Sequence, residues 1–131
     1  DKRVSSMFAF DAARGMDLEL KSSGDQIRSY CYCVDCASAV LTVMIGGRNG
    51  EAYNISNPNS IISIREMAQI ISKVGNVNLI VNSPSKSELK AFNPMNDSSL
   101  KSTKLESLGW RGLFDAEGGF KNTVLILKDL K

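Results

Sequence analysis

All three cysteines of the chain fall within six residues, in the stretch RSYCYCVDC that runs from Arg28 to Cys36. Three chemistries could begin there. Zinc takes four ligands from Cys and His, and a chain with three cysteines and no histidine cannot close such a site. An iron–sulfur cluster also asks for four thiolates, and the spacing matches neither common ferredoxin pattern. Cys33 and Cys36 do have the Cys-x-x-Cys spacing of a redox pair, at the start of a predicted helix. Against all three stands packing, since cysteine is among the most buried residue types and fills space as a small hydrophobe. Packing is the reading adopted, with no metal assigned and redox chemistry as the alternative. With the cysteines set aside, the stretch reads Gly24-x-x-x-Arg28-Ser-Tyr30-x-Tyr32-x-x-Asp35. An arginine in a strand just ahead of a helix is a planar fork of five donors, suited to a phosphate or a carboxylate. That partner is either a ligand or a neighbouring acidic side chain.

The elements that must position these groups follow from hydrophobic period and punctuation. Val4, Met7, Phe8 and Ala12 recur at helical spacing and Gly15 stops the run. DLELK, residues 17–21, alternates as an edge strand does, and IRSYCYC, 27–33, alternates again. That second alternation puts Cys31 and Cys33 on one face and Arg28, Tyr30 and Tyr32 on the other. Asp35 then caps a helix through CASAVLTVMI, apolar nearly all round and so expected to be buried. EAYNIS, 51–56, reads as a short buried strand. Ser63-Ile-Arg-Glu66 is a capping box opening a helix with an apolar stripe of Ile64, Met67, Ile70, Ile71 and Val74. VNLIV, 77–81, is a strand, followed by a long polar connection over 82–99. Thr103-Lys-Leu-Glu106 is a second box, and a last helix from about 115 carries Phe120, Val124 and Leu127 on one side.

The whole chain bounds the function. Its 131 residues make one domain, 43% hydrophobic and 23% charged, with a net charge of +2. So weak a positive balance, with scattered basic residues, argues against nucleic acid. No 18-residue apolar run crosses a membrane, and the basic-then-apolar pattern of a secretory signal is missing from the first residues. An odd number of cysteines fits reduced thiols in the cytoplasm. The chain opens on Asp1 with its first methionine at Met7, as expected of a piece of a longer protein. Glycine-rich GGRNG, 46–50, follows a helix and precedes a strand, the reverse of a phosphate-cradling turn.

GDQIRSYCYCVDCASAVLTVMIGGRNGEAYNISN, then SIREMAQII, then LKSTKLESLGW, resembles in order and spacing the C-terminal half of the extended short-chain dehydrogenase/reductases. More narrowly it resembles the nucleotide-sugar epimerases, dehydratases and decarboxylases. Cys33 departs from the pattern, standing where the family usually has valine. The resemblance implies an α/β fold: the C-terminal substrate-binding portion, residues 1–131, of a Rossmann-type enzyme whose N-terminal NAD-binding half is absent. It implies that Arg28 contacts the diphosphate of a nucleotide-sugar and that Leu18 to Leu20 lie along the base. Lys86 and Lys90 occupy a loop that often adds a second basic contact. NAD or NADP would serve the full-length parent, and this portion would bind none. None of Tyr30, Tyr32 and Tyr53 has a lysine four positions on, so no catalytic Tyr/Lys pair and no catalytic residue is expected here. A fragment cut from its sheet should expose apolar surface and form a homo-oligomer or repack. The alternative function is a free-standing nucleotide-sugar-binding or regulatory module.

Overall fold

The computed structural model of the chain describes residues 3–83 and 95–130. Helix α1 (Val4–Ala13) leads to strand β1 (Leu18–Leu20) and strand β2 (Ile27–Ser29), then to helix α2 (Cys33–Gly46). A 3-10 turn at Pro58–Ser60 precedes strand β3 (Ile61–Ser63), helix α3 (Ile64–Gly75) and strand β4 (Leu79–Val81). A one-turn helix α4 (Thr103–Glu106) and a final helix α5 (Ala116–Asp129) complete the chain. Two small sheets result: β1 pairs with β4 in parallel, Leu18 opposite Leu79, and β2 pairs with β3 antiparallel, Arg28 opposite Ile62.

Helices α1, α3 and α5 pack together over β1, around buried Phe8, Ala12, Leu18, Met67, Ile71 and Val124. The apolar stripes expected of α3 and α5 are there, with Met67, Ile71 and Val124 fully buried. On α1 the stripe is turned. Phe8, Ala9, Ala12 and Ala13 face inward, while Val4 and Met7, expected inside, stay exposed. Small residues decide this, because a Cβ on Gly75 of α3 would lie 2.7 Å from the Ala12 Cβ. Only an alanine-faced helix can approach α3 so closely. The Ser63/Glu66 box is made in full, with the Ser63 hydroxyl and Glu66 carboxylate each taking up the other's amide. Asn76, in the left-handed region at φ 56°, ends the helix.

A smaller core gathers Ala39, Leu105 and Trp110, with Cys31, Val43, Tyr53 and Ile55 against it. Here several expectations fail. Helix α2 buries only Asp35 and Ala39, and Met44 and Ile45 stand 76% and 88% exposed. The described residues cover just one side of it, and its apolar face is exposed. Residues 51–56 form no strand. Among the described residues no strand pairs with them, and Tyr53 and Ile55 pack against the small core instead. The strand predicted over 27–33 ends at Ser29, and after the Tyr30 amide donates to the Ser60 carbonyl the chain turns into α2 three residues earlier than expected. Asp35 therefore is not the cap. Tyr32 holds that position without a side-chain cap bond, and Asp35 lies in the first turn. The box at Thr103 is likewise displaced: Ser102 is the cap residue, and its hydroxyl donates to the Glu106 carboxylate at 2.5 Å.

Candidate functional site

Strand β2 is the spine of the site. β3 runs along one edge, and the segment 96–98 runs along the other, with Ile27 bridging to Asp97. The Ile27 amide donates to the Asn96 carbonyl and the Ser98 amide to the Ile27 carbonyl, at 2.8 and 3.2 Å. With both backbone edges taken, the side chains alternate by strand period, and Arg28 is presented to an open cleft of about 980 Å³. The wall opposite is built by α1, through Met7, Phe8 and Asp11, and by β1, through Glu19 and Leu20.

Half-buried Arg28 donates from Nη1 to the neighbouring Ile27 carbonyl at 2.7 Å. Among the described residues no carboxylate closes an ion pair on it. A guanidinium has five N–H donors, so most of the fork is left for something else. Its charge is felt on both sides. Hydrogen bonds from Ser99 hold the Asp97 carboxyl below the usual range, and the Arg28 cation adds to them. Burial pushes the Tyr30 phenol up, against the pull of the same cation. Ser29, the next residue, accepts from the Leu100 amide at 2.9 Å and from the Ser56 hydroxyl at 3.2 Å, which anchors the strand end.

Beyond Arg28 a second cavity of about 500 Å³ shares Arg3, Ser5, Ser29 and Tyr30 with the first. Its walls include Tyr32, Cys31 and Cys33, and the start of α5. Asp35 sets this region from below. Fully buried, its carboxylate accepts the amides of Leu113 and Phe114 at 2.9 and 3.0 Å. Asn57 donates to the Phe114 carbonyl at 2.7 Å, and a Cβ on Gly112 would lie 2.3 Å from the Asn57 amide nitrogen. So the loop after Trp110 is gripped at consecutive peptide groups. Phe114 then meets Tyr32 at 4.8 Å between ring centres, and Phe120 meets Tyr30 edge-on at 5.1 Å.

Of the residues named from the sequence, Arg28 and Leu20 line the same cleft. Leu18 does not: it is fully buried in the helix-covered core, so its side chain is turned from any ligand. Lys86 and Lys90 lie outside the described residues. Glu19, inside the expected Leu18 to Leu20 span, lines the cleft as well, while Gln26 and Arg3 line it and were not foreseen. The alternation of DLELK pointed Glu19 outward, which was a usable signal; Arg3, at the foot of α1, had none. The cysteines are all free thiols. Cys31 and Cys36 are half-buried, but Cys33, given a packing role, is exposed: as the first residue of α2 it points off the helix end. Among the described residues no three of His, Cys, Asp and Glu gather to hold a metal, and no helix is long and apolar enough to cross a membrane.

An arginine facing a large cleft, with no carboxylate paired to it among the described residues, is chemically suited to an anion. Comparison with known proteins points the same way. Residues 1–56 match the model of the NAD dependent epimerase/dehydratase family. The dTDP-D-glucose 4,6-dehydratase of Mus musculus is 34% identical over 113 residues, which is 80% of this chain and 30% of that protein. A trifunctional UDP-glucose 4,6-dehydratase/UDP-4-keto-6-deoxy-D-glucose 3,5-epimerase/UDP-4-keto-L-rhamnose-reductase of Arabidopsis thaliana is 32% identical over 125 residues, 94% of this chain and 18% of that one. Among solved structures, UDP-glucose 4-epimerase of Thermotoga maritima with UDP-glucose superposes with a TM-score of 0.79 at 25% identity, over 98% of this chain and 40% of that one. The dTDP-glucose 4,6-dehydratase of Bacillus anthracis, in complex with NAD, shares the fold with a TM-score of 0.79 at 19% identity, over 98% and 39%. The chain spans about 30% or less of the length of these curated relatives.

Proposed function

We propose that this chain is the nucleotide-sugar-binding portion of an NAD-dependent epimerase/dehydratase, C-terminal to a Rossmann half that holds the cofactor. The observation that carries the reading is Arg28, a half-buried guanidinium facing a cleft of about 980 Å³ with no carboxylate partner among the described residues. A diphosphate offers oxygens that two N–H groups of one guanidinium can bond at once, which an isolated ammonium cannot match. β1 carries the base along its cleft-facing side at Glu19 and Leu20, with the Leu18 backbone continuing that strand. Lys86 and Lys90 supply further positive charge to the same ligand.

The cofactor does not fit this chain. The only paired glycines that close an element, Gly46-Gly47, come after α2, and no glycine-rich strand-to-helix turn is present in the sequence. NAD or NADP, held by the parent's other half, supplies the hydride chemistry. The residues here bind and orient the nucleotide-sugar and exclude water from it. Alone, the chain turns over no nucleotide-sugar and takes up no NAD, and calorimetric titration with NAD should give no saturable heat.

The test is the affinity of the full-length protein for UDP, dTDP and their glucose conjugates. Arg28→Ala removes charge-assisted hydrogen bonds worth roughly 1.5–3 kcal/mol, a loss of about 10- to 100-fold in affinity. NAD affinity should not move. If UDP, dTDP and both conjugates bind the variant as tightly as the parent, Arg28 is a surface arginine and the assignment is wrong.

A further inference from the structure

The helix α2 begins with Tyr32 in the capping position, so Cys31 precedes the cap and Cys36 is the fourth residue of the helix. Those are the two positions at which apolar side chains commonly pack together to fix the angle of entry into a helix. Here both are cysteines, and they touch. The Cys36 thiol donates to the Cys31 carbonyl at 3.7 Å, which brings it back over the residue ahead of the cap. Both are free and half-buried, and Cys31 lines the cavity that adjoins the Arg28 cleft.

We propose that Cys31 and Cys36 form a closable staple, a reversible disulfide site at the β2–α2 junction whose oxidant is a hydroperoxide. One thiol attacks the peroxide O–O bond, becoming a sulfenic acid and releasing water or an alcohol. The second displaces the sulfenic hydroxyl as water and forms the S–S bond. Two electrons pass from the dithiol to the peroxide, and both thiol protons leave in the products. Burial and the Cys36 thiol push Cys31 up to about 12, so the bridge closes slowly at neutral pH and faster as pH rises. Exposed Cys33 lies between them in sequence but outside the pair. The closed bridge ties the last residues before the helix to its first turn, fixing Tyr30 and Tyr32 in the cavity wall. The sulfur chemistry stands independently of which ligand the cleft takes.

The experiment is peroxide treatment of the full-length protein, followed by alkylation and tryptic mass mapping. Cleavage after Arg28 and Arg48 places all three cysteines on one peptide. That peptide should be 2 Da lighter than its reduced form, with a single alkyl group on Cys33, and dithiothreitol should restore three alkylation sites. Cys33→Ser, at an exposed position, should form the bridge at the parent's rate, while Cys31→Ser and Cys36→Ser should form none. The parent and Cys33→Ser decide the matter even if the other two variants misfold. Three alkylated cysteines after peroxide, a bridge that includes Cys33, or sulfinic acid on Cys36 without a bridge would each overturn the proposal.

Discussion

Single residues divide the work at the site between holding and presenting. Arg28 presents charge, and its conservative replacement separates a fork from a mere cation. Arg28→Lys should recover only part of the affinity lost in Arg28→Ala, because an ammonium bonds one phosphate oxygen at a time. Titration of the two variants with the same nucleoside diphosphate reads the difference, and equal recovery would indicate simple charge attraction. Asp35 holds. Its buried carboxylate takes up two amides of the loop after Trp110, and in Asp35→Ala both donors lose that partner. At about 1–3 kcal/mol for each orphaned group, the variant should lose roughly 2–6 kcal/mol of stability. A shifted urea midpoint with an unchanged slope is the expected result. No loss would mean that water reaches those amides.

At the scale of elements, the two capping boxes read from the sequence met different fates for one reason. Ser63 follows a paired strand, so its backbone is extended where a cap must be, and the box with Glu66 closes. Thr103 follows an unpaired approach, and the helix begins one residue early, with Ser102 rather than Thr103 in the cap position. The closed box has a pH signature. Bonds from the Ser63 amide and hydroxyl hold Glu66 below its ordinary 4.5. Its contribution is therefore complete above about 4.5 and is lost as pH falls through the lower folded value. Glu66→Gln should cost about 0.3–1 kcal/mol at pH 7, toward the lower end because the pair is exposed. Thermal melts from pH 7 down to 2 should show the gap between parent and variant closing in acid. A gap that stays constant would mean that the carboxylate's charge does not matter.

For the molecule as a whole, the feature that calls for explanation is the bare side of α2, where Leu41, Met44 and Ile45 are 58%, 76% and 88% exposed. Contiguous apolar surface of this kind marks an interface. We expect the 131-residue chain on its own to self-associate through it, and light scattering should report a mass above 14.3 kDa. Met44→Lys with Ile45→Lys should return it to a monomer of unchanged helical content. If the parent chain is already monomeric at high micromolar concentration, the face is not an association surface.

What could be read from the sequence was whatever depends on a residue and its near neighbours. Turn glycines, the Ser63 box, the stripes of α3 and α5 and strands within 17–21 and 77–81 follow from local period and capping chemistry, and all are present, the strands shortened to Leu18–Leu20 and Leu79–Val81. The fork at Arg28 was legible as a donor group, though not that no carboxylate among the described residues pairs with it, because that depends on which carboxylates the fold brings near. Asp35 was misread for the same reason: as a capping residue it fits its neighbours in sequence, yet its true partners are amides nearly eighty positions away. Residues 51–56 have the composition of a strand, but a strand needs a second backbone at hydrogen-bond distance, and only the tertiary arrangement supplies or withholds one. The apolar face of α2 marks the same boundary. Its sequence calls for burial, and what buries it depends on surfaces beyond the helix itself.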